Sequence, residues 1–186
     1  MSHPLPPRQI EEILKTLQSL PADRQQQVVD FIEFVAARSA AEWEEDWFWG
    51  LVGLIDFELG GVEAALQPLT THLSSLPDEE IFRFHDILSD KLQQLDTPEH
   101  FKVAGGSADT FLYGRCLVVA EGKKYFHTVL NNLGVWPKDH DLEDLLYVPE
   151  IAFETKNNAA YPHTPRSVYE TGWNKAAWGE KAVSFA

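Results

Sequence analysis

Apolar side chains recur along most of this chain at steps of three and four residues, the spacing of one face of a helix. Ile10, Ile13, Leu14, Leu17 and Leu20 mark a first amphipathic helix, and Pro21 ends it while suiting the first turn of the next. Val28, Phe31, Ile32 and Val35 share a face of that second helix, so two antiparallel helices joined at Ser19-Leu20-Pro21 are expected. Such a hairpin leaves an apolar stripe uncovered, which must dock on the rest of the chain or on a second copy. A third helix is expected from about Glu44 to Leu59, stopped by Gly60-Gly61. Trp47, Phe48, Trp49, Leu51, Val52, Leu54, Ile55 and Phe57 make it apolar nearly all round, and therefore central.

The stretch from Val62 to Leu76 continues in helical texture, interrupted at Pro68. Pro77 followed by Asp78, Glu79 and Glu80 reads as a helix start, with acids where the helix dipole favours them. Ile81, Phe84, Leu88, Leu92 and Leu95 give that helix a clean apolar stripe. The run Leu117 to Ala120 has strand-like composition, but Phe111 and Leu112 precede it at helical spacing, so it reads as helix. Asp141 to Tyr147 is a short helix candidate, broken by Val148-Pro149. From Asn157 onward Asn, Pro, Gly and Ser are frequent, yet Tyr161, Tyr169, Trp173, Trp178 and Phe185 are interspersed. A flexible tail rarely carries so many aromatics, so part of it is expected to lie against the domain or a neighbouring subunit.

The fold class that follows is mainly α: a compact multi-helix bundle. Residues 1–42 form an N-terminal helical hairpin, residues 43–156 a helical domain and residues 157–186 an irregular, aromatic-rich tail. A faint repeat links Leu17-Gln-Ser-Leu-Pro-Ala-Asp with Leu73-Ser-Ser-Leu-Pro-Asp-Glu, each followed by an aspartate, Asp30 or Asp86. Two copies do not make a solenoid, and convergence on a good turn accounts for them.

Charge sharpens this picture. The 186 residues carry a net charge of −14. Residues 43–100 hold only Arg83 and Lys91 against thirteen acids, whereas residues 1–42 have four basic and six acidic side chains. A nucleic-acid binder needs cations to displace phosphate counterions, so no nucleic acid is expected. An anionic membrane would be repelled as well. The field suits a basic protein partner, or simply a soluble surface. Cys116 stands alone within an apolar run, so neither an intramolecular disulfide nor a cysteine metal site is possible. The start, MSHPLPPRQIEE, lacks the basic and apolar regions of a signal peptide, and a cytoplasmic location is expected.

Trp47-Phe48-Trp49 at a helix start, then LPDEEIFRFHDIL, then GGSADTFLYGRCLVVAEGKKYF, resemble the bacterial family catalogued as domain of unknown function 4240. The resemblance covers roughly residues 43–156. It implies a helical fold and supplies no activity. The chain departs from the family pattern at Ala108-Asp109, where two adjacent acids are usual, and at Tyr113-Gly114-Arg115-Cys116-Leu117, where Phe-Arg-x-Trp-Leu is. Residues 8–39 resemble a helical segment of antitoxin-like bacterial proteins.

Candidate chemistry is sparse. Phosphate-binding loops, nucleophile elbows, His-Glu-x-x-His helices and Glu-x-x-His pairs are all missing. In Gly105-Gly106-Ser107-Ala108-Asp109, Ser107 can cap a helix, and exposed N–H groups there could meet an anion. Asp109 would repel that anion, which favours a helix-start device over a ligand site. Arg115 and His127 would join Asp109 only if the helices fold back. Asp86 and Asp90, one turn apart, face a cation, a basic partner or simply water. Asp96 and His100 have metal-compatible spacing, but Pro98 between them spoils it. Trp47, Phe48 and Trp49 read as core rather than a binding box. Trp173 and Trp178 read as interface anchors.

The expectation is an acidic, non-enzymatic interaction or adaptor protein with a basic protein partner, without cofactor or metal, and able to form a homo-oligomer. Neutralising a basic toxin or nuclease is a variant of that reading. The alternative is a small-molecule enzyme or metal-binding regulator with its site at Asp109, Arg115 and His127.

Overall fold

The computed structural model describes residues 6–137 and 142–179. Every regular element among them is helical, so the fold is mainly α. Phe185 and Asp141, each singled out above, lie outside the described residues. The chain divides after Asp46 into two compact units.

The first unit holds α1 (Pro7–Ser19) and the opening part of α2 (Ala22–Val52). Pro7 occupies the first turn of α1, where its missing N–H leaves no helical bond unmade. At the elbow the Gln25 side-chain amide donates to the Leu20 carbonyl, 2.9 Å away. No side chain of α1 is buried.

Helix α2 corrects the expected boundaries. One helix of 31 residues replaces the second helix and much of the third. Ala36-Ala37-Arg38-Ser39-Ala40-Ala41 contains no breaker, and alanine is the best helix former, so nothing interrupts the backbone ladder. The helix then ends at Val52 instead of Leu59. Gly53 follows it, and Phe57–Leu59 form a separate 3-10 turn. Asp56 caps that turn by accepting from the Glu58 N–H at 3.0 Å.

The second unit begins with the last turn of α2 and continues through α3 (Val62–Ser74), α4 (Asp78–Leu95), α5 (Pro98–Ala104), α6 (Ala108–Ala120), α7 (Lys123–Asn131), α8 (Val148–Asn157) and α9 (Lys175–Trp178). Two proline expectations change. Helix α3 runs straight through Pro68, which costs one backbone bond without ending the helix. Pro149 does not break the helix near Tyr147 but sits in the first turn of α8, continuous with a 3-10 turn at Glu143–Tyr147. The strand-like run Leu117 to Ala120 is the end of α6.

Phe48 is fully buried, with its ring 5.0 Å from Trp49 and 5.2 Å from Phe84. Trp49 in turn lies 5.3 Å from Phe126. Leu69, Leu73, Leu88, Leu92, Phe111 and Val129 complete a single apolar core. The end of α2 is apolar nearly all round and belongs in such a place, with Phe48 and Trp49 in the core and Trp47 packed against it. Gly114 allows α6 and Trp136 to touch: a Cβ there would come within 3.1 Å of the indole.

Candidate functional site

The densest set of polar contacts between distant parts of the chain runs along α4. Its apolar stripe faces the core, which turns Asp86 and Asp90 outward. There they meet residues 161–174, in chain that is largely without regular structure. Asp86 accepts from His163 Nε2 at 2.9 Å and from the backbone N–H of Arg166 at 2.9 Å. Asp90 accepts from the Arg166 guanidinium and the Ser167 hydroxyl. The tail thus lies across the outer side of α4 like a strap. Gln93 ties it further, donating to the Val168 carbonyl at 3.1 Å.

Aromatic packing follows the same line. The His163 ring stacks on Phe82 at 4.8 Å, and Tyr161 sits edge-on to both Phe82 and Phe153. Tyr161 Oη lies 3.0 Å from His85 Nδ1. Burial, followed by repulsion from His163, pulls the His85 pKa down to about 4, partly offset by Asp86. Burial likewise pushes the Tyr161 phenol up.

The strap ends on Asp96, a carboxylate with no solvent exposure. It accepts from the N–H groups of Gly172 and Asn174, each at 2.9 Å, and from the Trp178 indole N–H at 3.0 Å. Three donors around one buried carboxylate are what its burial requires. Arg115 lies beside this anchor, fully buried. It donates to the Leu92 carbonyl and the Thr171 hydroxyl, each at 3.0 Å, and lies over the Phe111 ring at 4.7 Å. Burial lowers its pKa to about 10, with the field of Asp96 opposing the shift.

The residues singled out from the sequence therefore fall into two groups. Asp86, Asp90 and Trp178 are brought together along α4, held by the chain's own tail. Trp178 is buried against Asp96, whereas Trp173 remains exposed. Asp109, Arg115 and His127 do not converge. Asp109 and His127 are exposed on α6 and α7, while the Arg115 guanidinium is turned into the core. Ser107 caps α6, accepting from the Thr110 N–H at 3.1 Å. His100 bonds Thr97 and the Val129 carbonyl, so its pairing with Asp96 in a metal site is not formed. Among the described residues no cluster of three metal-ligating side chains occurs, and no helix is long and apolar enough to cross a membrane.

The family described as "Protein of unknown function (DUF4240)" matches residues 43–155, more than half of the chain. The chain belongs to the DUF4240 family. The match begins in the middle of α2 and ends within α8, so it takes in Asp86, Asp90, Asp96 and Arg115 but not their tail partners. The segment resembling antitoxin-like proteins also lies outside it. No curated protein and no solved structure matches the chain. Within the DUF4240 segment, the sequence pointed to Asp96 only as a metal-spaced partner of His100, and its part in receiving the tail emerges from the structure. The density of aromatics after Asn157 signalled a docked tail without indicating which acid would receive it.

One further corner of the DUF4240 segment stays open. From the turn after α2 into the start of α3 the chain reads Asp56-Phe57-Glu58-Leu59-Gly60-Gly61-Val62-Glu63, and all eight residues are exposed. Gly60 and Gly61 have φ of 75° and 86°, which other residues adopt only with strain. The Asp56 N–H donates to the Ala65 carbonyl at 3.0 Å, which fixes the turn against α3. Glu63 continues into a groove of about 200 Å³ between α3 and α8, floored by Leu66, Val148 and Ile151 and edged by Asp144.

Proposed function

We propose that this DUF4240 protein is a non-enzymatic interaction module whose acidic surface receives a basic protein partner. The observation that carries the reading is the corner at residues 56–63, where three acids alternate with three exposed apolar side chains, Phe57, Leu59 and Val62. Acids and large apolar groups side by side suit a cationic, amphipathic segment. Charge would steer the encounter, and burial of Phe57 and Leu59 would hold the complex. Asp86 and Asp90 fit this role less well than their spacing suggests, because His163, Arg166 and Ser167 already satisfy them. The neighbouring groove supplies further apolar surface with acids at its edge. A basic toxin or nuclease is one class of partner that such a surface would suit.

The reading is tested by capture on the immobilised full chain at low and high salt, with retained proteins identified by mass spectrometry. A basic protein should be held at low salt and released at high salt. It should also be lost from the variant carrying Asp56→Asn, Glu58→Gln and Glu63→Gln. Retention that ignores both salt and the substitutions would overturn the reading.

A further inference from the structure

Residues 6–42 form helices without forming a core. None of their described side chains is buried; Leu17, Leu20 and Val28 are only half-buried around a hollow of about 280 Å³ at the elbow. Ile10, Ile13 and Leu14 on α1 and Phe31, Ile32 and Val35 on α2 are between 42% and 65% exposed. At about 200 Å² for a large apolar side chain, these six leave on the order of 600 Å² in water. Val29 and Phe34, flanking them on α2, raise this to roughly 800 Å². The largest apolar patch on a typical monomer is about 300–600 Å², and a stable interface buries about 800 Å² per partner. A helix of 13 residues such as α1 is marginal in water unless its apolar face is covered.

Charge indicates what covers it. The hairpin's own charges nearly balance, with four basic side chains against six acidic ones in residues 1–42. A basic partner is drawn instead to the strongly acidic residues 43–100. A near-neutral apolar stripe is complementary to itself, which is the one condition that a two-fold interface imposes. We propose that residues 6–42 are a homodimerisation element: two copies pair stripe against stripe, and the two hairpins together form a four-helix bundle.

Sedimentation equilibrium of the full chain over a range of concentrations tests this. A species of twice the 21.1 kDa chain mass is expected, persisting at high salt because the contact is apolar. That persistence separates it from the salt-sensitive capture of a basic partner, so either proposal can fail alone. Ile13→Glu with Ile32→Glu should give the monomer mass. Phe31→Ala with Ile32→Ala keeps or improves helix propensity, guarding against a merely unfolded variant, and should weaken the dimer at least tenfold. A wild-type monomer at every concentration would overturn the proposal, and so would a dimer that both variants leave intact.

Discussion

His85 on α4 and Asp96 just past its end show how single residues set the terms for the tail. Asp96 is a buried carboxylate made tolerable by three N–H donors, all from residues 172–178. Asp96→Asn keeps the shape but removes the charge that strengthens each bond, and one amide hydrogen then meets a donor. A loss of about 2–3 kcal/mol is expected, read as a lower midpoint in urea unfolding. His85 makes a prediction in pH. Its folded pKa of about 4 lies below the ordinary 6.5, so the unfolded chain takes up that proton more readily. Stability is therefore intact above about pH 6.5 and declines as pH falls toward 4, by up to about 3 kcal/mol from this group. His85→Gln should flatten that part of the stability–pH curve; an unchanged slope would show that other groups govern it. Neither role is legible in the sequence. An aspartate at a helix end and a histidine on a helix look the same whether water or a distant tail provides their partners.

The elements were more legible than their joints. Helix faces emerged from apolar spacing because burial of a stripe is what stabilises a helix in a folded chain, and α1, α4 and α6 stand where the pattern placed them. The boundaries went astray where local signals are weak. Separate helices were expected on the two sides of the alanine-rich stretch around Arg38, yet alanine favours helix and α2 passes through it. Pro149 looked like a stop and is a start, since proline fits the first turn as readily as it ends a preceding helix. The tail was recognisable by its aromatics, but its docking depends on contacts across more than 70 residues, such as His163 to Asp86. Those contacts are unequal. Arg166 is more than half exposed, so Arg166→Ala should cost less than about 1 kcal/mol. Tyr161→Ala removes a ring packed on Phe82, Phe153 and His85 and should cost about 2 kcal/mol or more. Protease cleavage after residue 157 in the Tyr161 variant, but not in the Arg166 variant, would show the strap to be held by packing. The reverse order would assign that role to the ion pair.

At the scale of the whole molecule, the uneven charge is the feature from which the functional reading grows. Thirteen acids fall within residues 43–100, but they do not all do the same work. Asp78, Asp86, Asp90 and Asp96 are tied to Lys156, His163, Arg166 and Trp178 of α9. Asp56, Glu58 and Glu63 stand at the open corner among exposed apolar side chains, beside the acid-edged groove. The sequence located the excess charge but not its division, because whether a carboxylate is satisfied depends on neighbours distant in the chain. The most direct test places a photoreactive residue at Leu59 in living cells, with exposed Glu121 as the control position. A cross-link from Leu59 to a basic protein is expected, absent from Glu121 and suppressed by Asp56→Asn, Glu58→Gln and Glu63→Gln together. Adducts forming equally at both positions, or forming at Leu59 with the acids neutralised, would contradict it.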